Sequence, residues 1–486
     1  MSARPDPAGT AAAAHDRRVA DDLACLCLPA ENWPATRLGP DGLSMTDVLV
    51  VGAGVCGLAV AFGLRNEGIR TLRHIDRAPA GAEGPWVTFG RMRTLRSSKT
   101  LVGPAMGIPS LTFRAWHEAR FGAAAFDALD KIPNRMWMDY LVWYREILGL
   151  PVENGVAVTR LDPAADHVRA SLTHPDGRTE AHYARHVVLA TGMGGAGQCF
   201  VPAFISPDLW PDRAAHGAED IDFARLAGAH VTVLGAGPSA FDNAAAALEA
   251  GAGHVQMLLR RPALPQINKG RGSAYPGFIT GYPALPDTER WRLFRYFYDW
   301  PAPPPCTSIE RVLVHGDRFR IRFGTGLAAA RRGDTRVRLD LADGSREDTD
   351  FLICATGFRA GLAAAPEIGH LADRVTLWRD RLPADTPGLA LLGGAPYVGD
   401  RFELLERTPG ACPGAERILF FNHGASASHG PVAGGIPGAS VAAGLVVRGL
   451  AGALMREDIA HVHARLEAFD EPELEGTPFH QPAPPP

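Results

Sequence analysis

Two glycine-rich turns, each set between an apolar strand-like run and a helix-like run, constrain this 486-residue chain more than any other feature. The first, Gly52-Ala53-Gly54-Val55-Cys56-Gly57, follows Val48-Leu49-Val50-Val51. The second, Gly235-Ala236-Gly237-Pro238-Ser239-Ala240, follows Val231-Thr232-Val233-Leu234. In such a turn the first glycine permits the tight exit from the strand. The second lets the backbone approach a pyrophosphate, and the third lets helix and strand pack closely. The pyrophosphate then lies on unpaired N–H groups at the positive end of the helix dipole. One turn of this kind is a weak signal. Two, both in strand–turn–helix context, predict two nucleotides bound side by side, and therefore redox chemistry in an α/β chain with two Rossmann-like domains.

The two units differ where nucleotides differ. After the first turn an apolar helix starts at Gly57, with Gly68 as its stop, and the chain returns as a strand to Asp76. That carboxylate lies nineteen residues past Gly57, where a ribose-binding acid belongs. The first unit is thus expected to hold the ADP half of FAD or NAD on Gly52, Ala53, Gly54, Val55, Cys56, Gly57 and Asp76. In the second unit the strand Val255–Leu259 runs into Arg260-Arg261 instead of an acid. Paired guanidinium groups suit a 2′-phosphate through bidentate, charge-assisted hydrogen bonds. Gly235, Gly237, Pro238, Ser239, Ala240, Arg260 and Arg261 therefore read as an NADPH site. NADH is the less favoured alternative, in which the two arginines are a solvated strand end.

Two closing strands repeat as well. Val187-Val188-Leu189-Ala190-Thr191-Gly192 ends the first block, and Phe351-Leu352-Ile353-Cys354-Ala355-Thr356-Gly357 ends the second. The repeat argues that an NADPH domain, 201–350, is inserted into an FAD domain made of 46–200 and 351–470. A 1–45 extension, disordered up to about Asp16, and a Pro-rich 471–486 tail flank them. Within the insertion, 262–306 is rich in Pro, Gly and aromatics. It is either a lid over substrate or a small helical subdomain with an aromatic core. A net charge near −4 gives no basis for a nucleic-acid partner. Seven scattered cysteines, never spaced Cys-x-x-Cys, argue against a zinc ribbon or a dithiol centre and for a reducing cytoplasm. No metal site is expected, and His461-x-His463 has no further ligand near it in sequence. Val441–Met455, broken by Arg448, reads as a buried helix and not as a membrane span.

With these features in hand, the chain resembles the class B flavoprotein monooxygenases: flavin-containing, N-hydroxylating and Baeyer–Villiger enzymes. Gly84-Pro85-Trp86 is similar to the family's Gly-Gly-x-Trp, and Ala355-Thr356-Gly357-Phe358 to its Ala-Thr-Gly-Tyr. His216 falls where the family has a linker histidine, although Pro202 replaces the linker glycine. Arg96-Ser97-Ser98-Lys99 stands in place of the flavin-side Asn-x-x-Lys. The resemblance implies FAD and NADPH as cofactors, O2 and a small organic molecule as substrates, and a homodimer. NADPH would reduce the flavin, and the reduced flavin would add O2 as a C4a-peroxyflavin that passes one oxygen atom to nitrogen or sulfur. A ketone in a Baeyer–Villiger reaction is the alternative. It also implies cofactor contacts from Arg77, Trp86, Val158 (backbone to adenine), Thr191-Gly192 and Thr356-Gly357. Arg96, Lys99, His216 and His423 are the candidates nearest the chemistry. Two rivals keep the nucleotides but not the oxygen insertion: a flavin reductase or oxidase, and a redox-sensing flavoprotein.

Overall fold

The computed structural model describes residues 7–431 and 435–481. The ends of the N-terminal extension and of the Pro-rich tail, and 432–434 in the glycine-rich run after His429, lie outside these residues.

Two sheets carry the two glycine turns. The first has the order Glu153–Asn154, Leu72–Asp76, Thr46–Val51, Thr179–Leu189, Val168–Thr173, Ala157–Pro163, with Ile418–Leu419 also paired to Thr179–Leu189. Val48 to Val51 are all buried, as expected of a parallel strand covered on both faces. Thr179–Leu189 serves two pairings. Its C-terminal half runs parallel to Thr46–Val51, and its N-terminal half joins an antiparallel meander. The helix Val55–Asn66 leaves the first turn and packs on Ala439–Glu457. A Cβ on Gly63 would lie 2.8 Å from Val447 Cγ2, so this approach depends on glycine.

The second sheet is wholly parallel: Phe319–Arg322, His254–Leu258, His230–Leu234, Phe351–Cys354, Ala214–His216. Beside it Leu327–Arg332, Val337–Leu341 and Arg346–Thr349 form a small antiparallel sheet. The chain leaves the first unit at Gly197–Cys199 and returns at Phe358–Ala360, and these two crossings pair antiparallel. The NADP domain is thus inserted into the FAD domain.

Three sequence expectations meet the structure differently. The run up to Asp16, expected to be disordered, is helical from Pro7 to Cys25. Alanine has the highest helix propensity, and tertiary contacts fix the helix. Val19 is buried, His15 Nε2 bonds the Ser110 carbonyl at 2.8 Å, and the His15 ring stacks on Trp143. Ile436–Glu457 is long and apolar enough to cross a bilayer by length and composition. Half of its apolar window is nonetheless buried, and it forms the core helix against Val55–Asn66. The aromatic insert divides between its two readings. Trp291 is buried in a cluster with Trp378, Leu389, Leu392, Ala395 and Ala427 of the FAD domain, whereas Tyr275, Tyr296, Tyr298 and Trp300 are exposed.

Candidate functional site

The first turn has the shape of a dinucleotide cradle. Gly52 has φ +101°, and a Cβ there would lie 2.5 Å from the Ala190 carbonyl. A Cβ on Gly57 would lie 1.8 Å from the Gly52 carbonyl. Gly54, which caps the helix, would by contrast meet nothing within 4 Å. The first and third glycines are dictated by protein packing, and the middle one borders open space at the helix N-terminus, where a pyrophosphate fits. Asp76 is buried at the end of the neighbouring strand. Its Oδ2 accepts the Ala53 N–H and its Oδ1 the Ala78 N–H, both at 2.7 Å. Behind the turn His74 bonds the Gly52 carbonyl through Nε2, and burial lowers its pKa to about 4, so it is neutral.

The other FAD-side candidates surround this cradle. Val158 is buried two residues beyond Val156, whose N–H donates to the Asp76 carbonyl. Arg77 is exposed, with its guanidinium beside Gly194. Trp86 is half-buried, and its indole N–H is buried without a hydrogen-bond partner among the described residues. The Thr191-Gly192 turn meets the Asn422-His423 turn: Asn422 Nδ2 donates to Thr191 Oγ1 at 3.1 Å.

The second turn repeats the logic. A Cβ on Gly235 would lie 2.4 Å from the Ala355 carbonyl, whereas Gly237 borders open space. Pro238 occupies the first turn of the helix, where its missing N–H costs nothing, and Ala240 is fully buried against the sheet. Arg260 and Arg261 are exposed at the end of the next strand. Among the described residues neither guanidinium has a side-chain hydrogen bond or ion pair, so both are available to a phosphate.

The four residues expected nearest the chemistry separate into two pairs. Lys99 turns away from the cleft: Nζ donates to the Phe126 and Asp127 carbonyls at 2.8 and 3.0 Å and lies over the Phe126 ring. His216 is buried with both ring nitrogens occupied. Nε2 donates to the Gly357 carbonyl at 3.0 Å and Nδ1 accepts the Ala218 N–H at 3.2 Å. It ties one linker to the other and offers no free nitrogen for proton transfer. Thr356 acts with it, its hydroxyl donating to the Phe200 carbonyl. Arg96 and His423 are the opposite case. Each side chain is exposed to open space while protein surrounds it closely enough that burial lowers its pKa. Arg96 lines an open cavity, and His423 is exposed beside the Thr191-Gly192 turn. Arg96 touches Asp242 Oδ2 at 3.5 Å, and among the described residues the His423 imidazole has no hydrogen-bond partner.

Sequence reasoning missed Arg91 and Asp242. Arg91 donates to the Gly217 and Glu219 carbonyls and so fastens the FAD domain to the base of the second sheet. Asp242 is buried in the helix of the second turn and accepts from Ser308 Oγ at 2.7 Å and Arg311 Nη1 at 3.3 Å. An acid on the buried face of an otherwise alanine-rich helix was the available signal.

Two glycine turns of this geometry, one on each parallel sheet, define a protein built to hold two dinucleotides. Residues 46–271 match the pyridine nucleotide-disulphide oxidoreductase family. The FAD-dependent urate hydroxylase of Xanthomonas campestris pv. campestris is 38% identical over 461 residues, covering 94% of this chain and 95% of that protein. Ornithine hydroxylase PvdA from Pseudomonas aeruginosa, in its reduced form, superposes with a TM-score of 0.68 at 19% identity, over 84% of this chain and all of that one. Ornithine N-hydroxylase from Kutzneria sp. 744, solved with reduced FAD, NADP+ and L-ornithine, gives 0.64 at 18% identity, over 84% of this chain and 99% of that one. The chain belongs to the family of FAD-dependent flavoprotein hydroxylases that includes the Xanthomonas urate hydroxylase. It is an FAD- and NADPH-dependent monooxygenase.

Proposed function

We propose that this enzyme hydroxylates urate, or a closely related oxidised purine, in the cytoplasm. The carrying observation is the 38% identity with a urate hydroxylase along 94% of the chain. Within the monooxygenase class this reading delivers the oxygen atom to an electron-rich ring rather than to an amine or thioether. Residues 46–200 and 351–470 hold FAD through the first glycine turn, Asp76, Arg77, Trp86, Val158 and the Thr191-Gly192 and Thr356-Gly357 turns. Residues 201–350 hold NADPH through the second turn, Arg260 and Arg261. FAD held there would supply two-electron transfer between NADPH and O2, chemistry no side chain can supply.

The protein contributes position and charge. His423, neutral and without an imidazole partner among the described residues, exchanges a hydrogen bond with the purine at the Thr191-Gly192 turn. Arg96 supplies a fixed positive charge in a cleft of low dielectric, where it offsets negative charge on substrate or reduced cofactor. His216 and Thr356 are positioning residues that hold the two linkers in register. The test is stoichiometry: FAD-loaded enzyme, NADPH and urate in air, with NADPH, urate and hydrogen peroxide followed together. One urate consumed per NADPH supports the proposal. NADPH oxidation matched by peroxide, with urate untouched, refutes it and favours an oxidase.

A further inference from the structure

A cavity of about 510 Å³ opens between the two domains, lined on the FAD side by 92–96 and Lys131 and on the NADP side by Glu249 and residues of 305–315. Its volume is that of a small-molecule site. The helix Pro238–Glu249 reaches it through Glu249, its last residue, so the cavity is separate from the pyrophosphate cradle at Gly237. Arg96, which the family resemblance assigns to the flavin side, lines this cavity.

Its charge is unbalanced in one direction. Arg93, Arg96, Lys131 and Arg311 face Glu249 and Glu310. Glu249 is already committed, accepting Arg311 at 2.9 and 3.0 Å and Arg93 at 2.9 Å. Arg311 and Arg96 share the buried Asp242 behind the wall. Glu310 is an exposed carboxylate at the rim, and His315 accepts from Arg318. What remains is Lys131, half-buried and without a hydrogen bond or ion pair among the described residues, and Arg96, whose contact with Asp242 is long at 3.5 Å. Apolar stretches from Met92, Leu95, Pro305 and Val314 complete the wall. A flat, partly apolar organic anion matches such a surface, and low-dielectric walls focus the field of the cations into the opening.

We infer that this interdomain cavity is the admission site for an anionic substrate, captured at Lys131 and passed to Arg96 on the flavin side. The inference deepens the urate reading and rests on it, because urate is a planar monoanion at neutral pH. Lys131 touches neither nucleotide cradle.

The test uses FAD-loaded enzyme and urate. Urate binding to the oxidised holoenzyme is measured by calorimetry, and kcat/KM for urate is measured at low and high ionic strength. Lys131→Glu should weaken urate binding and lower kcat/KM roughly tenfold at low salt, leave kcat at saturating urate unchanged, and lose most of its effect at high salt. Lys131→Gln should fall between the two and guards against misfolding of the reversed-charge variant, with FAD content and Tm as controls. Urate bound in this salt- and Lys131-dependent way, yet not hydroxylated, would uphold the admission site and overturn the proposed reaction. Urate hydroxylated with identical salt dependence in wild type and both variants would overturn the admission site and leave the reaction standing. Absence of any urate binding would overturn both.

Discussion

Removing the guanidinium groups of Arg260 and Arg261 should convert an NADPH enzyme into one that hardly distinguishes NADPH from NADH. Both side chains are exposed at the end of His254–Leu258, where the proposed NADPH site would meet the ribose, and the described residues give neither a competing carboxylate. A hydrogen bond from a charged donor contributes about 1.5–3 kcal/mol when well placed. Exposure to water and salt moves these two toward the low end, about 1.5 kcal/mol each, which is roughly a tenfold effect per arginine. The two donors grip one phosphate, so their effects are coupled, and Arg260→Ala with Arg261→Ala should cost about thirtyfold rather than a hundredfold. The assay is kcat/KM for NADPH and for NADH with saturating acceptor, in wild type, both single variants and the double variant. Wild type should favour NADPH, each single variant should lose most of a decade, and NADH kinetics should stay within about twofold, since NADH carries no 2′-phosphate. The preference should also shrink with added salt in wild type but not in the double variant. An unchanged NADPH-to-NADH ratio in the double variant would refute the assignment of these arginines to the 2′-phosphate.

Other consequences follow from single positions. Gly54→Ala should fold with unaltered Tm, because its Cβ meets no protein atom, yet lose FAD affinity on titration. Gly57→Ala, whose Cβ would lie 1.8 Å from a carbonyl oxygen, should fail to fold around FAD at all. His423→Ala should reduce urate consumed per NADPH about tenfold, the effect of one lost hydrogen bond, while NADPH oxidation continues as peroxide release. Lys99→Met should cost about 1–2 kcal/mol in urea denaturation by stranding two carbonyls, with coupling to urate unchanged. Glu457 gives a pH signature. Burial opposes its ionisation, but the hydrogen bond from His186 and the charges of Arg417 and Arg185 outweigh it and bring the pKa from 4.5 down to about 2. A depressed carboxylate stabilises the fold fully above its unfolded pKa and ceases to do so as pH falls through the folded one. Glu457→Gln should therefore be less stable than wild type by roughly 2–3 kcal/mol near pH 7, and the gap should close between pH 4.5 and 2 in denaturant titrations.

What could be read from sequence was what the backbone decides locally. Gly52, Gly57 and Gly235 are required by carbonyls brought close by the turn itself or by the strand beside it, so their spacing announces them. Asp76 is legible for the same reason, because strand length fixes its distance from Gly57. Lys99 and His216 carry no such local signature. Lys99 is claimed by carbonyls 27 and 28 residues away, and His216 by a carbonyl 141 residues away. Motif position suggested chemistry for both, and tertiary hydrogen bonds gave them structural work. Arg91 and Asp242 escaped for the same cause, since their partners are distant in sequence: Arg91 bonds carbonyls of the other domain, and Asp242 accepts from Ser308 and Arg311, 66 and 69 residues further on. The helix Pro7–Cys25 escaped for another: alanine, aspartate and glycine composition suggests disorder until Val19 and His15 find a surface on which to pack.

The aromatic insert explains how two domains joined by only two short crossings can hold a cleft of fixed shape. The crossings Gly197–Cys199 and Phe358–Ala360 form a narrow ribbon, which alone would leave rotation about its axis soft. Beside the hydrogen bonds of Arg91 to the second sheet, the insert adds a separate point of attachment on the FAD domain. Arg290 is buried between the Trp378 and Tyr397 rings, its Nη2 donates to Tyr397 Oη at 2.8 Å, and its Nη1 donates to the Ser428 carbonyl at 3.2 Å. Tyr282 Oη lies 3.4 Å from the Ala427 carbonyl beside it. Ser428 belongs to the short helix Ser426–His429 that follows Asn422 and His423, so the NADP domain grips, from behind, the loop whose front lines the cleft. Two separated attachments suppress rotation where one permits it. The exposed aromatics Tyr296 and Trp300 lie at the end of the same helix, Asp287–Asp299, remote from this grip. The insert is therefore a brace at its buried end, and the loop that carries His423 is positioned by both domains at once.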